Sequence, residues 1–345
     1  MLVTYVRSSS YNNYDYCQMQ YFLTYVLGWP SLSGKKADMG TMAHKVMEIL
    51  SALKKFKQDN PRKKYLVIED DKCGKIRIEK ETLFTDEFVD EMTELAIKKY
   101  AEGSRHKFYR AERKAIRDTV QTFLTHSNGL FDPRLRNIYY PEAQFDIPIE
   151  EDWAKFEYEV NGEMVQGQLA IKGTIDLTTL VDDDTIEVID WKTGRRMDWA
   201  TGEEKDYKKL EDDAQLLLYF YAISKIYPQY KNKIMSIFFY KDIEGEVDPR
   251  PFSICLGPED EQRFLDKLKK RFFEIQQNVN PKPVDPTRRD FKCKYLCHFY
   301  KNKWEGSQDN MCIFIERKLK KDGIEKTIKD CTKEGFNIGF YEAPG

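Results

Sequence analysis

Residues 173–194 read GTIDLTTLVDDDTIEVIDWKTG, and this stretch decides the fold. Two runs rich in β-branched residues flank Asp182-Asp183-Asp184, a natural hairpin turn. A turn centred on Asp183 pairs residues equidistant from it, so Asp176 faces Asp190. Their carboxylates then stand about 5 Å apart, where like charges repel unless a cation lies between them. Hard divalent ions such as Mg²⁺ take carboxylate oxygens and keep several waters. Side chains alternate along a strand, so Lys192 shares the face of Asp190 while Trp191 points the other way. Two acids and an ammonium on one face are what phosphodiester hydrolysis with a metal-activated water requires. On spacing alone, a surface hairpin with ordinary charges accounts for the pattern equally well.

Upstream, SSSYNNYDYCQMQYFLTYVLG (8–28) begins with capping-type serines and continues as an amphipathic helix. Residues 29–37 read as a loop. A second helix starts near Gly40 and runs through HKVMEILSALKKF, and residues 85–126 read as two helices broken near Gly103-Ser104. From about 136 to 192, β-branched and aromatic residues alternate with polar ones, as in an antiparallel sheet. A helix follows at about 208–227, then the strands KIMSIFFYKD and RPFSICL, then a helix over roughly 258–278. The remainder opens on the Pro-rich NPKPVDP and carries most of the cysteines. These elements suggest a single α/β domain spanning 1–345, with a helical N-terminal portion (1–130), an α/β core (131–278) and a Cys-containing C-terminal segment (279–345).

The chain has 345 residues, with 41% hydrophobic and 33% charged, as expected of a packed core with a solvated surface. No apolar run approaches a bilayer span, and MLVTYVRSSS lacks the apolar stretch of a signal peptide, so the chain reads as cytoplasmic with no membrane partner. A net charge of −2 weighs against extensive coating of duplex DNA but not against a local basic channel. Basic clusters occur at 267–271, 288–289 and 317–321. Each taken alone is more simply a solvated helix face. Among many aromatics, some can stack on bases of a single strand.

The sequence resembles the RecB-like branch of the PD-(D/E)XK nuclease superfamily. GTID followed by EVIDWKTG looks like that branch's second and third nuclease motifs. Gln215-Leu216-Leu217-Leu218-Tyr219 looks like its QxxxY motif, and Gly40-Thr41-Met42-Ala43-His44 resembles its G-x-x-x-H motif. The opening 8–28 resembles the family's first helix, where a cysteine usually precedes proline; Gln18 stands there instead. The resemblance implies a mixed central sheet flanked by helices. It implies that His44, Asp176 and Asp190 bind Mg²⁺ or Mn²⁺ with the backbone carbonyl of Trp191, and that Asp176, Asp190 and Lys192 carry catalysis. Gln215 and Tyr219, four apart on one helix face, would position the DNA strand. Glu48, one turn after His44, and Glu142, on an early strand, are further acids near the motifs. Each is more simply an ordinary charged residue.

Seven cysteines without a secretory signal argue against a disulfide framework. Several RecB-like nucleases, including the AddB type and CRISPR-associated relatives, hold a 4Fe-4S cluster with one early and three late cysteines. The resemblance assigns these places to Cys17, Cys293, Cys297 and Cys312, with Cys331 a possible replacement for Cys312. Four thiolates serve iron–sulfur or Zn²⁺ alike, and the absence of any metal also stays open. Cys73 and Cys255 read as bystanders.

The expectation is thus a metal-dependent DNA nuclease, an exonuclease on ends or single strands. No G-x-x-x-x-G-K-[ST] loop is present, so no built-in helicase motor is visible, and a helicase or recombination protein is a possible partner. Compact members of this branch often serve phage or CRISPR replication, recombination and repair of ends. A degenerate module that only grips DNA, and a structure-specific or RNA-directed endonuclease, are the alternatives.

Overall fold

The computed structural model describes residues 1–160 and 163–336. Residues 337–345 of the C-terminal segment lie outside the described residues. In chain order the elements are β1 (Tyr5–Val6), α1 (Ser8–Tyr16), α2 (Gln18–Tyr21), α3 (Lys35–Asp59), β2 (Tyr65–Asp70), β3 (Gly74–Glu79), α4 (Asp86–Gly103), α5 (Arg110–Gly129), β4 (Ile138–Pro148), β5 (Lys155–Val160), β6 (Glu163–Gln168), β7 (Ala170–Leu180), β8 (Thr185–Arg195), α6 (Tyr207–Glu211), α7 (Ala214–Ile226), β9 (Asn232–Lys241), β10 (Val247–Leu256), α8 (Pro258–Gln277), α9 (His298–Lys301) and α10 (Met311–Cys331). Short π-helical turns occupy Phe22–Val26 and Lys292–Leu296. No helix among the described residues is long and apolar enough to cross a membrane.

The chain divides into two units. One, the sheet unit, comprises Ser33–Gln144 and Thr174–Pro258; the other, the thiol unit, comprises Met1–Leu32, Phe145–Gly173 and the chain from Glu259 onward.

In the sheet unit the strand order is β4-β7-β8-β9-β10. The β7–β8 hairpin pairs Leu177 with Ile189, Thr178 with Val188 and Thr179 with Glu187, the register set by a turn at Asp183. The sheet is mixed, not antiparallel throughout: β8 and β9 run parallel. A parallel neighbour needs a crossover, and α6–α7 supply it. Leu177, Ile189, Trp191, Phe238 and Tyr240 join one apolar cluster with Met42, Val46, Leu50, Phe88, Val120 and Phe123 from α3, α4 and α5. Odd-numbered Ile189 and Trp191 are thereby turned into this core, which leaves Asp190 and Lys192 on the other face of β8. The break between α4 and α5 falls where Gly103-Ser104 signalled it.

Helix α3 starts at Lys35, earlier than Gly40 suggested, because this glycine is used for contact and not as a breaker. A Cβ at Gly40 would stand 2.5 Å from Thr193 Oγ1, just beyond the DWK triplet on β8. Glycine therefore sets how closely α3, carrying His44 one turn on, can lie against the end of β8. Gly40→Ala should destabilise the fold by about 1–3 kcal/mol, the usual cost of overpacking. The penalty, measured by urea unfolding, should shrink in a Thr193→Ala background; equal penalties in both would refute the contact.

In the thiol unit, β1 adds parallel to the start of β7 through Tyr5–Ala170 and Val6–Ile171. The amino terminus donates to the carbonyls of Ile275 and Gln276 at 3.0 Å, and Arg271 on α8 reaches the carbonyl of Tyr11 at 2.8 Å and Asp15 at 2.6 Å. The single helix expected over 8–28 is broken at Cys17, whose backbone is extended (φ −166°, ψ 107°). Proline after the cysteine would favour such a break. Gln18 supports it differently: its side-chain oxygen accepts from Lys282 N and Asn278 Nδ2, both at 3.1 Å, tying the break to the linker after α8.

Candidate active site

Asp176 and Asp190 lie near the middle of β7 and β8, Lys192 two residues further along β8, His44 on α3, and Gln215 and Tyr219 on α7. The structure brings all six together within the sheet unit. One Asp176 oxygen, Oδ2, lies 3.2 Å from His44 Nδ1 and accepts the backbone N–H of Trp191 at 3.0 Å. Asp190 is 1% exposed at its side chain. Its Oδ1 accepts from Lys192 Nζ at 3.1 Å and from Gln215 Nε2 at 2.9 Å. Gln215 Nε2 also reaches the Tyr219 hydroxyl at 2.8 Å, and that hydroxyl donates to the Thr174 carbonyl at 3.0 Å. The QxxxY pair thus grips the second carboxylate directly, in addition to presenting one helix face.

Asp190 Oδ2 lies 2.7 Å from the Lys192 ammonium, an ion-pair distance, but receives no aligned hydrogen bond in its buried position. A buried carboxylate oxygen with its lone pairs unsaturated, near a second acid and an imidazole, is a donor set of the kind a small divalent cation takes; among the described residues the ligand atoms of His44, Asp176 and Asp190 do not all lie within 4.8 Å of one another. Electrostatics agree with shared strain at this site. Burial raises Asp190, with the Asp176 charge adding to it against Lys192. Burial also raises Asp176, but His44 and Lys192 outweigh it and hold that carboxyl below its usual range. Burial pulls Lys192 down, and Asp190 and Asp176 more than offset this, keeping the ammonium charged. His44 is likewise lowered by burial and raised further by Asp176.

Asp213 caps α7, accepting from the backbone N–H groups of Gln215 at 2.9 Å and Leu216 at 3.4 Å, and it pairs with Lys205. This cap fixes where Gln215 enters the site, and the sequence reading did not single it out. The reading also passed over the β2–β3 hairpin, although LVIEDDKCGKIRIE carries alternation and a turn. That hairpin delivers Asp70 and Asp71 to Lys45, which also holds Glu48 at 2.6 Å. Glu48, Asp70 and Asp71 form an acidic cluster, with Lys45 already lodged in it as the cation.

Glu142 bonds to Glu48 from a backbone in the left-handed region (φ 47°), a conformation costing about 1–3 kcal/mol away from glycine. Burial and the facing Glu142 carboxyl push Glu48 up to about 8, against the pull of Lys45. Held up in this way, Glu48 should keep its proton at neutral pH. With its folded value above the ordinary value of 4.5, its contribution to stability is full below that value and lost as pH rises through about 8. Glu48→Gln should flatten the decline in melting temperature between those pH values. An unchanged slope would show that Glu48 is ionised.

The four cysteines expected to act together also meet, within the thiol unit. Cys17, Cys293, Cys297 and Cys312 line one cavity with Tyr16 and Phe299. All four are free thiols, and Cys17, Cys293 and Cys312 are buried. Burial, then the neighbouring thiols, push Cys293 up to about 11; burial pushes Cys312 up to about 12, against Arg288, whose Nη2 lies 3.7 Å from its sulfur. An all-sulfur donor set of this kind suits a soft metal or iron–sulfur centre and excludes Mg²⁺. Cys331 does not line the cavity: it is buried elsewhere in this unit, its carbonyl accepting from Trp29 Nε1 at 2.9 Å. Cys73 and Cys255 belong to the sheet unit.

A mixed sheet flanked by helices, with two acids and a lysine converging on its central hairpin, is the architecture of a metal-dependent nuclease fold. The chain belongs to the PD-(D/E)XK nuclease superfamily, whose model matches residues 8–301. No curated protein matches the chain. Among solved structures, it is similar to a "Putative exonuclease" from Eubacterium rectale, with 12% identity, 81% of this chain and 84% of that one covered, and a TM-score of 0.40. It is also similar to SSO0001, with 16% identity, 72% and 92% covered, and a TM-score of 0.24. Likeness at that level adds nothing to the family assignment.

Proposed function

We propose that this protein is a metal-dependent deoxyribonuclease that acts as an exonuclease on DNA ends or single strands. The observation that carries the reading is the meeting of Asp176, Asp190, His44 and Lys192, with a buried Asp190 oxygen left without a hydrogen bond. Asp176, Asp190, His44 and the backbone carbonyl of Trp191 would hold Mg²⁺ or Mn²⁺, the ions nucleases of this superfamily typically use. Such an ion would supply an acidified water and neutralise charge developing on the phosphate oxygens. Lys192, charged and about one-third exposed, orients the attacking water and donates to the phosphate oxygens. Gln215 and Tyr219 position the DNA strand through the carboxylate they hold.

In the same reading Cys17, Cys293, Cys297 and Cys312 would hold a 4Fe-4S cluster, which would staple the start of the chain to its C-terminal segment. DNA is the substrate, and a separate helicase or recombination protein would deliver it.

The test uses linear and covalently closed circular DNA, single- and double-stranded, with Mg²⁺ or Mn²⁺. An exonuclease degrades the linear forms to short products and spares the circles. Cutting of circles at the same rate would replace the exonuclease with an endonuclease. Binding without any cleavage would leave only a DNA-gripping module.

A further inference from the structure

The cysteine-bearing segment has an outer side as well as an inner one. Of the three basic clusters in the sequence, that at 317–321 is largely paired in the fold, and that at 267–271 has its arginine buried while Lys269 and Lys270 are exposed. Arg271 on α8 is buried against Asp15, and on α10 Arg317, Lys318 and Lys320 pair with Asp309, Asp322 and Glu316. The third continues into something else. Between residues 288 and 303 stand six Lys or Arg (288, 289, 292, 294, 301 and 303) against the single acid Asp290, in a chain whose net charge is −2. Arg288 is buried against Glu316 and the Cys312 sulfur. Arg289, Lys294, Lys301 and Lys303 are exposed.

The turn Lys292–Leu296 is fastened from inside, where Cys293 is 5% exposed, Phe299 is fully buried, and Cys297 lines the thiol cavity. A turn so short that aims these side chains inward cannot also bury its other apolar groups. Phe291, Tyr295 and Leu296 are consequently left 50%, 71% and 50% exposed. Lys301 donates to the Tyr295 carbonyl at 2.8 Å, fixing a positive charge beside this residue. Clustered exposure of large apolar side chains marks an interaction surface. Rings alternating with cations match a polyanion that offers flat faces. A duplex hides its base faces in the stack; a single strand exposes them.

We propose that Arg289, Phe291, Lys294, Tyr295 and Leu296 form a platform for single-stranded nucleic acid, with bases stacked on Phe291 and Tyr295 and phosphates met by Arg289 and Lys294. The choice of a nucleic acid over an acidic peptide rests on the nuclease reading. The surface itself does not.

The test measures affinity of the full-length protein for a fluorescein-labelled oligothymidylate by anisotropy, in EDTA so that nothing is cut. Phe291→Ala and Tyr295→Ala should each weaken binding about tenfold, the scale of one stacked base. Tyr295→Trp should restore it. Arg289→Ala with Lys294→Ala should flatten the log–log salt dependence by about 1.4, as expected for two lost single-strand phosphate contacts. These side chains are exposed, so the variants should melt like the native protein. Native affinity in the folded ring variants overturns the platform. So does preferential binding to polyglutamate or anionic phosphatidylserine vesicles that the ring variants abolish. Cleavage is read separately. A protein that cuts DNA but ignores these substitutions loses the platform and keeps the nuclease reading. A protein that binds through the platform but cuts nothing keeps the platform and loses the nuclease reading.

Discussion

Lys192→Ala is expected to lower DNA cleavage by on the order of 10²–10³-fold or more, the range for removing one electrostatic stabiliser of a developing anion. The side chain stands in the second half of β8 with its ammonium 2.7 Å from Asp190, charged and reachable from solvent. Its loss leaves a carboxylate that is 1% exposed still held by Gln215, so the fold should persist. Asp190→Asn gives the complementary measurement. It should abolish cleavage as completely, yet in the absence of metal the variant should melt no lower than the native protein. One of two neighbouring negative charges, the buried one, is gone, and the amide keeps a hydrogen-bond acceptor for Gln215. Circular dichroism and thermal melting beside the nuclease assay separate the effects. A folded variant of either kind cutting at the native rate would remove that residue from the chemistry.

Cys293→Ala is expected to have the largest effect on stability. If four thiols hold a cluster, the protein purified without oxygen is brown, with broad visible absorption and about four irons per chain. The four thiols are buried or half-buried and kept protonated by burial in the metal-free fold, so binding a metal draws protons off and contributes directly to folding. Structural metal sites contribute on the order of 10 kcal/mol, comparable with the whole stability of a domain. Cys293→Ala should therefore bleach the protein and abolish cooperative unfolding of the thiol unit in calorimetry. Cys255→Ala, an exposed thiol of the sheet unit, should do neither. Stoichiometric zinc in a colourless native protein would replace iron with zinc. Native protein free of both metals, with unchanged melting in Cys293→Ala, would remove the metal altogether.

Local chemistry made the central hairpin legible. A triple-aspartate turn with alternating runs on either side fixes a register, and register fixes which residues meet. The pairing of Leu177 with Ile189 and the opposite faces of Trp191 and Lys192 followed from it. The Gly103-Ser104 break was readable because glycine and serine act on the nearby backbone, the Ser104 hydroxyl accepting from His106 N. What long-range packing decides was not readable. Gly40 resembles a helix breaker until Thr193 is seen above it. The extended backbone at Cys17 depends on Gln18 binding the chain some 260 residues later, at Asn278 and Lys282. The parallel pairing of β8 with β9 depends on where α7 crosses over. Meeting of the four thiols in one cavity was suggested only by the family resemblance. Nothing in the C-x₃-C spacing indicates where Cys17 lies.

Cleavage of end-labelled linear DNA under metal control tests the account at its centre. Protein stripped with EDTA and dialysed should cut nothing, recover full activity with added Mg²⁺ or Mn²⁺, and recover none in the Asp190→Asn variant at any metal concentration. Cleavage that continues in EDTA, or that Asp190→Asn supports on metal addition, would contradict a metal site built on Asp176 and Asp190.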